Sequence, residues 1–170
     1  MALCLFCGTS AGWFRTQHPA CKTAHERSRV DLQKLARRAV SGEVSFDTLQ
    51  QQLTAMAVRS YLTPAQTQHA LMRGWEAAVN AFLEDGVLSR EDEAQLVAFC
   101  ERFALTQADL NHRETYARFV KAAVLREVIE GHIPQRIELD GSLPFNFHKT
   151  EQLIWVFPDT HYYEGSIRSF

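Results

Sequence analysis

The chain has 170 residues, of which 46% are hydrophobic and 22% are charged, and its formal net charge is −2 at pH 7. This composition is typical of a soluble globular protein with one domain, or one domain and small appendages. The small net charge gives no global electrostatic argument for binding nucleic acid or an anionic membrane, and without a run of about eighteen apolar residues no transmembrane span is expected.

The first 25 residues are rich in metal-ligating side chains. Cys4 and Cys7 form a C-x2-C pair, and His18 and Cys21 form an H-x2-C pair, with ten residues between the two pairs. The N-terminus lacks the features of a signal peptide, so the expected compartment is a reducing cytoplasm, where clustered cysteines more often bind metal than form disulfides.

Two tight ligand pairs joined by a short loop suit tetrahedral Zn²⁺, because each pair supplies two adjacent ligands. We therefore predict that Cys4, Cys7, His18 and Cys21 bind zinc, with His25 as the alternative fourth ligand. Three free thiols and a redox-active C-x2-C pair are the competing interpretations. Four protein ligands leave no position for water, so the predicted zinc is structural rather than catalytic.

A segment of this size cannot bury enough apolar surface to fold alone, and metal binding supplies the missing free energy. We therefore expect residues 1–25 to form a zinc-binding module, similar to a short zinc ribbon or knuckle. Gly8 follows the first cysteine pair, where such a knuckle needs a residue that tolerates positive φ.

Charge is distributed unevenly along the chain. Residues 1–40 carry seven basic and two acidic side chains, whereas residues 81–101 carry one basic and six acidic side chains. Lys34, Arg37 and Arg38 follow the zinc module and are the candidate phosphate contacts if the chain binds nucleic acid. The ligand spacing is not that of a base-reading zinc finger.

Residues 26–131 have the apolar periodicity of a bundle of amphipathic helices. Pro64 follows the N-cap candidate Thr63, and Ser89 precedes an acidic helical turn, as at helix starts. The lone Cys100 lies on an apolar helical face and is expected in the core. The last apolar stripe predicts one long final helix that contains Leu110, Ala117, Val120, Val124 and Val128.

The helix boundaries repeat along the chain. The segment SGEVSFD at 41–47 aligns with DGVLSRE at 85–91, and LTPAQ at 62–66 aligns with LTQAD at 105–109. Two matches at nearly the same offset predict a duplicated helix pair.

The segment FLEDGVLSREDEAQLVAFCERFALTQADL resembles the tellurite-resistance TerB-like helical family, and the resemblance covers roughly residues 41–131. The matching positions are Asp85, Gly86, Leu88, Ser89, Glu91, Glu93 and Leu96. The resemblance implies an all-α domain with two pseudo-symmetric halves and a largely non-catalytic partner or scaffold role in bacterial stress, metal-response or phage-defence systems. Ser41 replaces the acidic residue expected before Gly42, so the resemblance does not extend a metal-sensing role to both turns.

The acidic turn is a candidate weak divalent-cation or partner site formed by Asp85, Glu91, Asp92 and Glu93. An EF-hand loop is excluded, because placing Gly86 at loop position 6 puts apolar residues at ligand positions.

The composition changes after residue 131. Short aromatic and β-branched runs predict a β-rich tail over residues 132–170, which is too short for a complete sheet domain. It would pack on the helical domain, pair with another chain, or belong to a larger domain. The candidate partner surface consists of Trp155, Phe157, Tyr162 and Tyr163.

The sequence contains no nucleophile elbow, P-loop, dinucleotide-binding fingerprint or zinc-protease motif, so we do not expect an enzyme. It predicts a mainly α protein that acts as an interaction or regulatory module, through a protein partner or self-association. Zinc-stabilised nucleic-acid binding is the alternative function.

Overall fold

The structure is a computed structural model that describes residues 2–84, 86–110 and 114–132. Within this part of the chain it contains two short strands and six helices, so the predicted mainly α fold is confirmed. The elements are β1 (Ala2–Leu3), β2 (Ser10–Gly12), α1 (Pro19–Val40), α2 (Phe46–Ser60), α3 (Pro64–Phe82), α4 (Arg90–Phe103), α5 (Gln107–Leu110) and α6 (Thr115–Ile129). The chain divides into two compact units, Met1–Arg126 and Glu127–Phe170.

The N-terminal segment forms an antiparallel hairpin that the sequence did not predict. β1 pairs with β2, and the turn between them is closed by the Gly8 N–H, which donates to the Cys4 carbonyl at 2.9 Å. Gly8 has a φ of 71°, which confirms its predicted left-handed conformation. The hairpin leads into α1, which already begins at Pro19. The predicted boundary at residue 25 therefore falls inside a helix.

The core of the first unit is centred on α1 and α3, which share the largest interface between elements. Trp75 on α3 is fully buried, and its Nε1–H donates to the carbonyl oxygen of Leu96 at 3.2 Å. The ring of Phe119 packs edge-on against Trp75 with centroids 5.7 Å apart. One aromatic side chain thus joins α3, α4 and α6, and its single polar atom has a partner, as burial requires.

The helix starts of α2 and α4 have the same turn geometry, as the repeat in the sequence predicts. Gly42 and Gly86 have φ values of 76° and 80°. Three residues after each glycine, Ser45 and Ser89 cap the following helix by accepting a backbone N–H. Glycine adopts the positive φ of each turn without strain, and serine satisfies a free N–H of the helix that follows.

The helix ends repeat as well. The C-cap residue that follows α2 is Tyr61, with φ 57°, and the one that follows α4 is Ala104, with φ 52°. The next residues, Leu62 and Leu105, are both buried, and each donates its N–H to a carbonyl five residues earlier at 3.0 Å. These are left-handed helix ends made without glycine.

A capping box follows each of these ends. The N–H of Thr63 donates to Gln66 Oε1 at 3.0 Å, and the Gln66 N–H donates back to the Thr63 hydroxyl. The N–H of Thr106 donates to Asp109 Oδ2 at 2.8 Å, and the Asp109 N–H donates back at 3.3 Å. The predicted helix starts at these two positions are confirmed.

The prediction of one long final helix is wrong. Leu110 belongs to the four-residue α5, whereas Ala117, Val120, Val124 and Val128 belong to α6. Glu114, immediately before α6, has a φ of 60°, which a continuous right-handed helix does not permit.

Cys100 packs against the core, as its place on an apolar helical face predicts. Burial, with a smaller contribution from the Glu101 carboxylate, raises the pKa of its thiol to about 12. The β-rich tail predicted over residues 132–170 lies, apart from His132, outside the described residues.

No helix in the described part of the chain is both long and apolar enough to cross a bilayer.

Candidate metal centre

The hairpin and the start of α1 bring four metal-ligating side chains together. Cys4 directly follows β1, Cys7 lies in the turn, His18 is the N-cap residue of α1, and Cys21 lies in its first turn. Their Sγ and imidazole atoms all lie within 4.8 Å of one another. These residues therefore form a group that could hold a metal ion.

The nitrogen that faces the sulfurs is Nδ1 of His18. It lies 3.3 Å from Cys7 Sγ and 3.7 Å from Cys21 Sγ. The other ring nitrogen, Nε2, lies 3.0 Å from the carbonyl oxygen of Ser10 in β2. Because a carbonyl oxygen only accepts, the neutral ring carries its proton on Nε2, and in that form the lone pair of Nδ1 points at the thiols. The sheet thus orients the ring as a ligand, as carbonyl groups do for many metal-bound histidines.

The Ser10 carbonyl and the Cys7 sulfur raise the pKa of His18. The pKa of Cys4 falls to about 6 although burial opposes ionisation, because backbone N–H groups, including that of His18, together outweigh it. Thr9 lowers the pKa of Cys7 through its hydroxyl, which lies 3.1 Å from Sγ.

Cys21 behaves oppositely, since burial and the neighbouring sulfurs of Cys7 and Cys4 raise its pKa to about 11. A cluster without a cation therefore resists full ionisation, because each new thiolate repels the others. A bound cation would remove this repulsion.

His25, the alternative ligand, lies outside this group. Its Nδ1 lies 2.9 Å from the Ser60 carbonyl oxygen, and its Nε2 lies 3.2 Å from the side-chain nitrogen of Gln66. Gln66 Oε1 is already used in the capping box, so its amide nitrogen is free to donate to Nε2. His25 therefore links α1 to the C-terminal end of α2 and to the first turn of α3.

Two of the four residues of the acidic turn, Asp92 and Glu93, are used in other interactions. Asp85 lies outside the described residues, and Glu91 is exposed. Asp92 Oδ2 accepts from the Ser89 hydroxyl at 2.7 Å.

Glu93 forms an ion pair with Arg126, whose side chain is buried and also donates to the Leu88 carbonyl oxygen at 3.4 Å. Among the described residues, Glu91, Asp92 and Glu93 do not bring ligand atoms together around a common point.

The candidate phosphate contacts on α1 are all exposed. Lys34 and Arg37 point away from the buried face of the helix, which includes Leu32 and Ala36. Arg38 Nε donates to Glu43 Oε2 at 2.9 Å, so part of its charge is compensated locally.

Two features were missed at the level of sequence. In the second unit, Gly131 has φ 81°, and the His132 N–H donates to the Glu127 carbonyl at 2.8 Å. This helix end brings His132 Nδ1 to 3.6 Å from one carboxylate oxygen each of Glu127 and Glu130. The acidic residues before a glycine were the only sequence signal for this exposed group.

The second missed feature is a set of large apolar side chains exposed on the hairpin. They are Leu3, Leu5, Trp13 and Phe14. The dipeptide Trp13–Phe14 in a segment without a predicted helix or strand was the available signal. The predicted partner surface of Trp155, Phe157, Tyr162 and Tyr163 lies outside the described residues.

Comparisons with known proteins give no assignment: no protein-family model, curated protein or solved structure matches this chain.

Proposed function

We propose that this chain is a non-catalytic interaction module, with a structural zinc ion bound by Cys4, Cys7, His18 and Cys21. Its helical body is of the TerB-like type, and it acts in a bacterial stress-response or phage-defence system. The observation that carries the proposal is the convergence of the four ligand atoms.

The donor set favours zinc. Three sulfurs and one imidazole nitrogen are the ligands of a closed, tetrahedral Zn²⁺ site. With Zn–S and Zn–N bonds of ordinary length, an S–N edge of the tetrahedron is about 3.6 Å long. The distances from His18 Nδ1 to the sulfurs of Cys7 and Cys21, 3.3 and 3.7 Å, lie on either side of this value.

The same donor set argues against catalysis at this site. Four protein ligands fill the coordination sphere and leave no position for a substrate or an activated water. The zinc would instead fix the hairpin to α1.

The TerB-like assignment is supported by the two equivalent turns. Gly42 and Gly86 start them, and Tyr61 and Ala104 end the helices that follow. A body with two pseudo-symmetric halves is what the family resemblance implies. The uneven charge of the chain, basic over residues 1–40 and acidic over residues 81–101, supports recognition of a protein partner or a second copy.

Metal analysis of protein purified under reducing conditions tests the zinc site. We expect about one zinc per chain, in line with a single closed site. Cys7→Ser should lose the metal, whereas Cys100→Ser, the same substitution at the cysteine outside the group, should keep it. Wild-type protein without zinc would refute this part of the proposal.

Light scattering and co-purification from the native host test the interaction. Replacing Trp155, Phe157, Tyr162 and Tyr163 with serine in the full chain should abolish self-association or the recovery of one specific partner. If the variant keeps every association, the proposed partner surface is wrong.

Nucleic-acid binding is the second candidate, and the exposure of Lys34 and Arg37 on the solvent face of α1 favours it. If these residues contact phosphates, binding to an oligonucleotide should weaken steeply with salt. Replacing Lys34, Arg37 and Arg38 with glutamate should abolish it. A gel shift that is absent at low salt would exclude this candidate.

A further inference from the structure

The hairpin exposes four large apolar side chains, which we call the apolar tip: Leu3, Leu5, Trp13 and Phe14. The exposed fractions of Trp13 and Phe14 are 77% and 101%, and those of Leu3 and Leu5 are 64% and 78%. Isolated apolar residues are common on protein surfaces, but four exposed within twelve residues of one hairpin segment form a candidate interaction site.

The backbone of the hairpin connects these four residues. Leu3 lies in β1, which pairs with β2, and β2 leads directly into Trp13. The Leu5 N–H donates to the Thr16 carbonyl at 2.9 Å, which joins the turn of Leu5 to the segment containing both aromatic residues.

The metal ligands lie between and after these residues in sequence. Cys4 separates Leu3 from Leu5, and His18 follows Phe14 by four residues. In the proposed zinc-bound state, the tip is therefore held in a fixed conformation before it meets a partner, and binding costs little ordering entropy.

The charge around the tip is predominantly positive. Residues 1–25 contain no acidic residue, and Arg15, next to Phe14, is exposed. Lys22, Arg27 and Arg29 continue the basic surface along the first half of α1 and are exposed as well, with Lys22 Nζ 3.8 Å from Glu26. An anionic surface would be attracted to this end of the molecule.

We propose that the apolar tip docks this protein onto an anionic lipid bilayer. The rings of Trp13 and Phe14 and the two leucines enter the boundary between head groups and acyl chains, where amphipathic aromatic rings are favoured. Arg15 and the basic residues of α1 remain at the level of the lipid phosphates. The protein thereby lies on the membrane without spanning it.

The composition of the tip favours lipid over single-stranded nucleic acid. Bases stack on aromatic rings, and the aliphatic Leu3 and Leu5 offer no such face. Acyl chains, in contrast, accept leucine and aromatic side chains alike. The proposal uses the metal-held hairpin of the proposed function but requires no protein partner.

Co-sedimentation of the full zinc-loaded chain with vesicles tests the proposal. We expect binding to an equimolar mixture of phosphatidylcholine and phosphatidylglycerol, and at least about tenfold weaker binding to pure phosphatidylcholine, because the basic residues add electrostatic attraction. The double variant Trp13→Ser/Phe14→Ser should lose binding by a similar factor of about ten or more. Val58→Ser, at a residue that is 76% exposed on α2, is the matched control and should bind like wild type.

Tryptophan fluorescence provides a second readout. Anionic vesicles should shift the emission of the wild-type chain to shorter wavelength, because the ring of Trp13 leaves water. Trp13→Phe should still bind, since phenylalanine keeps the apolar contact, but should lose the shift contributed by this residue.

The outcomes separate docking from the metal site. A chain that contains zinc but ignores anionic vesicles refutes docking and leaves the zinc proposal intact. Vesicle binding that persists in Trp13→Ser/Phe14→Ser also refutes it. Binding to a single-stranded oligonucleotide but not to vesicles would overturn the choice of lipid. If Cys7→Ser loses zinc and vesicle binding together, the metal is required to hold the tip.

Discussion

Gly74 and Ala36 lie face to face where α3 crosses α1. A Cβ built on Gly74 would overlap the Ala36 side chain, and would lie 2.9 Å from the carbonyl oxygen of Gln33 and 3.0 Å from the amide nitrogen of Arg37. We predict that Gly74→Ala lowers the free energy of unfolding by about 1–3 kcal/mol, because the added methyl group forces the two helices apart. Alanine is the better helix former, so helix propensity alone would make the variant more stable. A loss of stability would therefore come from the close approach of the two helices.

A double-mutant cycle checks the cause of this loss. Ala36→Gly removes the methyl group that the new Cβ would meet, so Ala36→Gly/Gly74→Ala should be more stable than the sum of the two single effects. Gln68→Ala, at an exposed position of α3, should change stability by less than about 0.5 kcal/mol. Additive effects in urea unfolding would show that the Ala36 methyl group is not the cause of the loss.

The left-handed helix end at Ala104 predicts a stabilising substitution. A non-glycine residue at φ 52° is strained, and glycine adopts this conformation freely. Ala104→Gly should therefore raise the free energy of unfolding by about 0.5–1 kcal/mol, after allowance for the greater flexibility of glycine in the unfolded chain.

Ala94 provides the control for this prediction. It lies in the same helix with right-handed backbone and is exposed, so Ala94→Gly should cost about 1 kcal/mol. The same chemical change should thus have opposite signs at two positions ten residues apart. Thermal unfolding of the two variants side by side measures the difference, and equal signs would be inconsistent with a strained helix end.

The two histidines of the N-terminal region should have separate roles. His18→Ala should release the metal, because Nδ1 of this residue faces the sulfurs. His25→Ala should keep the metal but lower the free energy of unfolding by about 1–3 kcal/mol, because the buried carbonyl of Ser60 loses its donor. Zinc content and urea unfolding distinguish the two effects, and metal loss in His25→Ala alone would reverse the ligand assignment.

Asp109 should titrate below its ordinary pKa. The hydroxyl and the N–H of Thr106 hydrogen-bond to its carboxylate and lower its pKa. A depressed folded-state pKa adds stability above the unfolded pKa, and this contribution is lost as pH falls through the folded value. Carboxyl carbon shifts in an NMR titration should show a midpoint below about 3.9, the unperturbed value, and Thr106→Ala should move the midpoint upward.

Local signals made the helix boundaries predictable. Thr63 and Ser89 are capping residues whose side chains bond within three residues, so the neighbouring sequence determines them. The metal-ligand group around Cys4 was predictable for the same reason, since each ligand pair spans only four residues.

Long-range features were not predictable in this way. The apolar pattern of Leu110 continues smoothly into α6, and nothing in the sequence marks the positive φ of Glu114 before α6. The role of His25 depends on Ser60, which is 35 residues away in sequence. Its spacing from Cys21 suits a ligand equally well, and only the packing of α1 against α2 and α3 removes it from the metal group.

The hydrogen bond from the His18 N–H to Cys4 Sγ, at 3.4 Å, has a consequence for α1. His18 occupies the N-cap position of this helix, but its side chain makes no capping hydrogen bond. Three thiolates and one Zn²⁺ carry a net charge of −1, and this charge would lie at the positive end of the dipole of a 22-residue helix. The inorganic cluster would thus replace the serine or threonine that caps α2, α3 and α4. Demetallation should therefore fray α1 from its first turn, before the core opens.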